Sequence, residues 1–161
     1  MPSLSTIDTS VLVEFIDEDG DFHAQARGVV ESITSGRLTG IIPHPVFVEL
    51  YYVSYKLYEK NRDVAQSKRS PELKAETLIN WIFKSPNILV PEDTIELAIA
   101  AGKIKQKFSL ALTDSYVIAC AKLQQCIAIF KSQEEEMSKG NKIEKIETGE
   151  DVRLIFLEDY A

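Results

Sequence analysis

The sequence predicts an α/β fold built on a mainly parallel sheet. Short apolar runs of strand length alternate with longer segments of helical periodicity, which is the pattern of βαβ units. The chain has 161 residues, of which 45% are hydrophobic, so it can bury one sizeable core but is too short to argue for two. It shows no internal repeat or low-complexity tract. We therefore expect one domain covering residues 1–161.

The first half of the chain is expected to contain two strands and four helices. Gly36 suits a helix C-cap, and Pro43 and Pro45 can open a helix at its first turn. Trp81 is interpreted as a core anchor. The expected elements are a strand at 4–7, a helix from Thr9 or Ser10, a helix at 22–35, a strand at 38–42, a helix ending near Lys60, a polar connection at 61–70, and a helix from Pro71.

The second half is expected to add two helices and three strands. The strands are predicted at 88–90, 126–130 and 152–157, and turns are predicted at Gly140 and Gly149 within the charged segment 131–151. One helix starts at Asp93 or Thr94, and another runs from Ser109 or Thr113 to Gln124. The predicted apolar face of the former is Ile95, Ala98, Ile99 and Ile104, and the predicted buried stripe of the latter is Leu112, Tyr116, Ala119 and Leu123.

Composition excludes several functional classes. A net charge of −7 argues against a general nucleic-acid binder that depends on phosphate neutralisation, although a local basic face remains possible. The best candidate for such a face is 56–74, with six basic and three acidic residues, and a solvated helix pair is the alternative. No segment is long and apolar enough for a membrane span, and the start lacks signal-peptide features, so we expect a cytoplasmic protein. Cys120 and Cys126 lack metal-ligand spacing and are interpreted as small buried hydrophobes.

Acidic side chains interrupt apolar segments at positions far apart in the chain. Asp8 ends the first strand, Glu49 lies among apolar helix residues, and Asp114 lies in the first turns of a helix. Glu134 or Glu135 follows the strand at 126–130. Because ligands of an open parallel sheet bind beyond the carboxyl ends of its strands, these carboxylates can converge. Converging carboxylates repel one another, and a divalent cation compensates them, so the sequence predicts a site for Mg²⁺ or Mn²⁺.

The histidines and the known catalytic motifs do not indicate a histidine metal site or a nucleophilic enzyme. His23 and His44 are not spaced as a metal pair and are interpreted as surface or capping residues. The sequence has no glycine-rich phosphate loop, nucleophile elbow or zinc-protease motif. Each acid taken alone also has an ordinary structural interpretation: Asp8 as a helix cap, Glu49 as a solvent-facing residue, and Asp114 as a partner of the helix dipole.

Three segments together resemble the PIN-domain nucleases, and within them the VapC-type toxins of toxin–antitoxin modules. They are Ile7-Asp8-Thr9-Ser10-Val11-Leu12, Pro45-Val46-Phe47-Val48-Glu49-Leu50, and Leu112-Thr113-Asp114-Ser115-Tyr116-Val117-Ile118-Ala119. The resemblance implies a three-layer α/β/α sandwich, Mg²⁺ or Mn²⁺ as cofactor, and RNA as substrate. It also implies a homodimer and a small antitoxin whose C-terminal arm crosses the active site. An acidic toxin would attract a basic arm.

Site residues carry over from the family one by one. Asp8, Glu49 and Asp114 match the metal-binding acids, and Ser10 matches the small hydroxyl residue that supports the first of them. Ser132 stands where the family has its fourth acid, and Glu134, or otherwise Glu135, is expected to replace it. We therefore expect a metal-dependent endoribonuclease, with Asp8, Glu49, Asp114 and Glu134 as catalytic metal ligands.

Two other functions remain open at the sequence level. The serine at 132 is consistent with a catalytically weak or inactive PIN scaffold that acts as a binding module. A receiver-like phosphotransfer domain would also place acids at strand ends, but the acids at 17–19 come after a predicted helix, and Pro91 follows the middle strand. Tyr51, Tyr55 and Tyr58 form a helical stripe that suits a core or subunit interface, with base stacking as the alternative.

Overall fold

The computed structural model describes residues 2–62 and 68–161. The strands are β1 (Ser3–Ile7), β2 (Leu38–Ile41), β3 (Ile88–Leu89), β4 (Ile127–Phe130) and β5 (Leu154–Phe156). The helices are α1 (Thr9–Ile16), α2 (His23–Thr34), α3 (His44–Lys60), α4 (Pro71–Phe83), α5 (Ile95–Phe108), α6 (Leu112–Gln124), α7 (Glu135–Ser138) and α8 (Lys142–Glu150), followed by a 3-10 helix at Leu157–Tyr160.

All five strands are parallel and form one sheet in the order β3-β2-β1-β4-β5. The first strand is central, and the order reverses between β1 and β4, where Ile7 lies opposite Ile129. This reversal places the residues that follow β1 and β4 next to each other, at the edge where such sheets bind ligands. The α/β fold with a parallel sheet is confirmed.

Local sequence signals explain most of the element boundaries. Ser70 and Thr94 cap α4 and α5, accepting hydrogen bonds from Leu73 N at 3.2 Å and Leu97 N at 3.1 Å. Gly36 has a φ of +78° just beyond α2, as expected for a glycine after a helix end. The polar connection expected at 61–70 and the basic segment at 56–74 lie partly outside the described residues, because both include 63–67.

Three predictions about burial are wrong, wholly or in part. Trp81 is 48% exposed and stacks on Phe15, with ring centroids 6.3 Å apart. On α5 the predicted apolar face is correct only at Ile104, which is buried, whereas Ile95, Ala98 and Ile99 are exposed. The helix turns Leu97 and Ala101 into the core together with Ile104. The stripe predicted for α6 is correct in part. Ala119 is buried and Tyr116 is half-buried, but Leu112 and Leu123 are exposed, and the continuous buried run 117–121 lies on the sheet side.

The remaining differences are smaller. The charged segment after β4 folds into α7 and α8, which the sequence analysis did not resolve, since each buries only one apolar residue, Met137 and Ile146. Cys120 is buried, but Cys126 is only half-buried. The tyrosine stripe on α3 is half exposed, which excludes a core role. No helix within 2–62 or 68–161 is long and apolar enough to cross a bilayer.

Candidate active site

Asp8 follows β1 directly and caps α1. Its amide donates to Ile129 O at 3.0 Å, which fixes the residue against β4. One carboxylate oxygen, Oδ2, accepts from Ser10 N at 3.0 Å and from Ser10 Oγ at 2.6 Å. The other oxygen, Oδ1, is buried without a hydrogen-bond partner, and the residue is only 2% exposed. Capping therefore accounts for one oxygen of this carboxylate and leaves the other unexplained.

Ser10 connects Asp8 to the end of β4. Its Oγ donates to Asp8 Oδ2 and accepts from the amide of Lys131 at 3.0 Å. The orientation of the hydroxyl is thus defined, because its proton is donated to the carboxylate of Asp8 and its lone pair accepts from the amide of Lys131. Ser10 therefore links Asp8 to the first residue after β4, and its supporting role stays a prediction.

Asp114 is the third residue of α6, and the loop before that helix is fixed by two contacts. Lys105 Nζ donates to Leu110 O at 2.7 Å, and Ser115 Oγ donates to Ala111 O at 2.9 Å. Asp114 is 4% exposed, and its Oδ2 has no hydrogen-bond partner. A buried carboxylate oxygen without a partner is energetically costly, so this position requires a functional explanation.

Glu49 and Glu134 lie at the rim of the same region. Glu49 is the sixth residue of α3 and is half-buried, whereas Glu134 is exposed at the start of α7. Glu135 points away, since its side chain is 86% exposed and lies 3.5 Å from Lys139 Nζ. The charge of Glu134 acts on the pKa values of Asp8 and Asp114, whereas no such effect of Glu135 is found.

The carboxylates share one electrostatic environment. Burial raises the pKa of Asp8 from 3.8 to about 6, against the opposing effect of Ser10, and the charges of Glu49 and Glu134 raise it further. Burial raises the pKa of Asp114 to about 9, assisted by the charges of Asp8, Glu134, Glu49 and Glu136. Desolvation of its carboxylate and the charges of Glu49 and Glu136 raise the pKa of Glu134, whereas Asp114 acts in the opposite direction. Burial and the neighbouring negative charges thus favour the protonated form of Asp114.

The donor set suits a divalent cation, although the side chains are not closed around one. Three buried side-chain oxygens lack partners among the residues that the structure describes, and two of them belong to the candidate ligands: Asp8 Oδ1 and Asp114 Oδ2, with Thr9 Oγ1 as the third. Within the same residues, no three Asp, Glu, His or Cys side chains stand close enough to hold a metal ion as they are.

Comparison with known families decides between the sequence interpretations. The model of the PIN domain family matches residues 6–141, which contain all four acids. The chain belongs to the PIN domain family. None of the curated proteins compared with it gives a significant match.

Solved structures share the fold of this PIN domain at low sequence identity. Mycobacterium tuberculosis VapC20, described as a Sarcin-Ricin loop cleaving toxin, has a TM-score of 0.61 at 12% identity, over 86% of this chain and 98% of that one. PAE2754 from Pyrobaculum aerophilum has a TM-score of 0.58 at 17% identity, over 99% and 95%. VapBC-1 from nontypeable Haemophilus influenzae has a TM-score of 0.57 at 11% identity, over 96% and 98%. The resemblance to VapC-type PIN domains is confirmed for the fold.

Two buried acids of this PIN domain were missed by the sequence analysis. Glu14 is 2% exposed and pairs with Lys131 Nζ at 2.9 Å. Glu150 is 3% exposed and pairs with Lys122 and, at 3.2 Å, with Lys107. The position of Glu14 within the apolar segment of α1 was a usable signal, identical in kind to that of Glu49. Glu150 lies in a charged segment and gave no such signal.

Proposed function

We propose that this PIN domain is a metal-dependent endoribonuclease that hydrolyses RNA phosphodiester bonds, and the toxin of a toxin–antitoxin pair. The observation that carries the proposal is the pair of buried, unpartnered oxygens Asp8 Oδ1 and Asp114 Oδ2 at the point where the strand order reverses. Their desolvation opposes folding unless a ligand compensates it. A functional requirement explains why such a pair persists.

Asp8, Glu49, Asp114 and Glu134 would hold Mg²⁺ or Mn²⁺, which are hard cations that prefer carboxylate oxygens. When bound, such an ion supplies Lewis acidity that lowers the pKa of a water and neutralises charge on a phosphodiester. The arrangement of the side chains is suited to the positive charge of such an ion. Ser10 occupies Asp8 Oδ2 and leaves Oδ1 free, while the raised pKa of Asp114 means that binding of a cation would displace a proton from this carboxyl group.

A homodimer is the proposed assembly, and the apolar surface beside Glu49 supports it. A groove of about 630 Å³ lies between α3, α5 and α6. Exposed apolar side chains surround it: Val48, Tyr52, Ile95 and Leu112. A clustered apolar patch of this kind is typical of protein interfaces. Light scattering of the parent protein and of Ile95→Glu is the test, since the charged side chain should convert a dimer into a monomer.

An antitoxin with a basic arm is the second proposed partner. Solved structures that share the fold of this chain include one described as a toxin–antitoxin complex from Klebsiella pneumoniae and VapBC-1 from nontypeable Haemophilus influenzae. A net charge of −7 and a cluster of carboxylates would attract an arginine- or lysine-rich segment. Such an arm would compete with divalent cations for the same oxygens.

RNA cleavage tests the proposed activity. Purified protein is incubated with a pool of cellular RNA and Mg²⁺ or Mn²⁺, and new RNA ends are mapped by sequencing. We expect ends that depend on the metal and disappear with Asp114→Asn. Ends that persist unchanged with Asp114→Asn, in a preparation free of other nucleases, would contradict the assignment of this residue.

An inactive PIN scaffold that binds a partner is the second candidate. Ser132 at the fourth acidic position and the exposure of Glu134 favour it. The nuclease and the scaffold should differ in their affinity for divalent cations, because a scaffold that only binds a partner does not require a cation. Absence of Mn²⁺ binding, with and without RNA, would favour the scaffold.

A further inference from the structure

Glu14 has no role in the proposed metal site, yet it is almost completely buried. Its two carboxylate oxygens have separate partners: the amide of Phe22 donates to Oε1 at 2.6 Å, and Lys131 Nζ lies 2.9 Å from Oε2. The loop before α2 encloses the carboxylate closely, since a Cβ at Gly20 would lie only 2.5 Å from Oε1. Glu14 is therefore held in one position by backbone and by a cation.

Lys131 is held at three points as the first residue after β4. Its amide donates to Ser10 Oγ at 3.0 Å, its carbonyl accepts from Glu158 N at 3.1 Å, and its ammonium pairs with Glu14. Gln133 N also donates to Glu158 Oε1 at 2.9 Å. The segment that leads from β4 to Glu134 is consequently fixed on both of its sides.

These contacts form a continuous connection from Glu14 to the proposed metal ligands. In one direction, the Lys131 amide orients Ser10 Oγ, which donates to Asp8 Oδ2. In the other direction, Lys131 and Gln133 fix the backbone immediately before Glu134. The ion pair between Glu14 and Lys131 is thus connected to the carboxylates of both Asp8 and Glu134.

We infer that the ion pair between Glu14 and Lys131 is a positioning device that sets Asp8, through Ser10, and Glu134 relative to each other. The inference rests on the proposed function, since the two carboxylates matter as a pair only if they share a ligand. Positioning groups of this kind act on affinity without touching the ligand. Neither residue is a catalytic residue in this account.

A double variant separates positioning from charge. Glu14→Gln with Lys131→Met removes one negative and one positive charge, so the net charge near the site does not change. We expect Mn²⁺ affinity, measured by calorimetry, to fall by about tenfold or more. The matched control is Arg27→Met with Glu31→Gln, which removes an exposed ion pair of 2.8 Å on α2 and should leave the affinity unchanged.

The single variant Lys131→Met makes the test sharper, because the two explanations predict opposite signs. Removing a positive charge should tighten cation binding if Lys131 acts only through its charge. Loss of positioning should instead weaken it. Unchanged or tighter Mn²⁺ binding in both Lys131→Met and the double variant would overturn the inference. If Lys131→Met does not fold because Glu14 is left unpaired, the double variant alone decides.

Amide hydrogen exchange in the metal-free protein provides a second measurement. Positioning predicts faster exchange at Ser10 N, which donates to Asp8, in the double variant but not in the control. A purely structural ion pair would accelerate exchange at Phe22 and Lys131 and leave Ser10 unchanged, which contradicts positioning. If the parent protein binds no Mn²⁺, the proposed function fails, while the exchange rate at Ser10 still tests the connection to Asp8.

Discussion

Ser10 binds Asp8 through both its amide and its hydroxyl, and both bonds end on the same oxygen, Oδ2. The second oxygen, Oδ1, consequently stays free at the site. A helix cap of ordinary type needs only the first of these bonds. The hydroxyl therefore does more than start α1: it fixes the direction in which the free oxygen points.

Replacing Ser10 with alanine should lower both stability and metal affinity. The variant loses the bond to Asp8 Oδ2 and the acceptor for Lys131 N, so we expect a loss of roughly 1–2 kcal/mol in the free energy of unfolding. Mn²⁺ affinity should fall about tenfold. Chemical denaturation and calorimetry measure the two effects. Ser32→Ala is the control, since it removes an exposed hydroxyl bonded to Gly28 O, and equal effects in both variants would refute the role of Ser10.

Metal-free protein should lose stability as the pH rises. Burial raises the pKa values of Asp8 and Asp114 to about 6 and about 9, so the folded state binds protons more tightly than the unfolded chain. Stability from these groups is thus complete below about pH 4 and declines as each group ionises towards pH 9. With EDTA present, Asp114→Asn should be more stable than the parent by about 1–3 kcal/mol at pH 8.

Denaturation curves at pH 5 and pH 8 check this expectation. The difference between Asp114→Asn and the parent should shrink at the lower pH, because folding must then protonate an Asp114 carboxyl whose ordinary pKa of 3.8 in the unfolded chain lies closer to the pH. An Asp114→Asn variant that is less stable than the parent at pH 8 would show that this carboxylate is satisfied in the folded protein.

The two glutamates near the start of α7 should behave differently. The charge of Glu134 helps to raise the pKa of Asp114, whereas Glu135 is exposed and lies near Lys139. Glu134→Gln should weaken Mn²⁺ binding about tenfold, and Glu135→Gln should leave it unchanged. Calorimetry on both variants is the measurement. A larger effect from Glu135→Gln would reverse the assignment of the fourth acid.

Glu150 should contribute to stability and not to the site. Burial acts to raise its pKa, but hydrogen bonds and charges from Lys122 and Lys107 lower it overall. Its contribution is therefore present above the unfolded pKa and is lost as the pH falls through the folded value. Glu150→Gln should lose roughly 1–3 kcal/mol at pH 7, less at pH 3, and keep parental Mn²⁺ affinity. A change in metal affinity would indicate long-range coupling that the contacts do not predict.

The sequence was sufficient for the parallel sheet and most helix boundaries, because prolines, caps and apolar runs act locally. Which face of α5 and of α6 is buried could not be predicted from such local signals. Both helices carry apolar residues on more than one face, and only packing selects Leu97 over Ile95. Periodicity alone cannot separate a core face from an exposed interface face.

The same distinction applies to the acids. Asp8, Glu49 and Asp114 could be selected because they stand inside apolar segments with a family pattern around them. The partner of Glu14 could not be predicted from the sequence, since Lys131 is 117 positions away in the chain. The two residues meet because β1 and β4 are neighbours in the sheet. The position of Glu134 relative to Asp114 likewise depends on how the chain turns after β4.

Titration of Mn²⁺ into the antitoxin-free protein by calorimetry, together with Asp8→Asn and Asp114→Asn, tests the shared site most directly. Circular dichroism first establishes that both variants are folded. We predict saturable binding to the parent protein and its loss in both variants. Binding that survives in both folded variants, or no binding to the parent with or without added RNA, would contradict a metal site shared by Asp8 and Asp114.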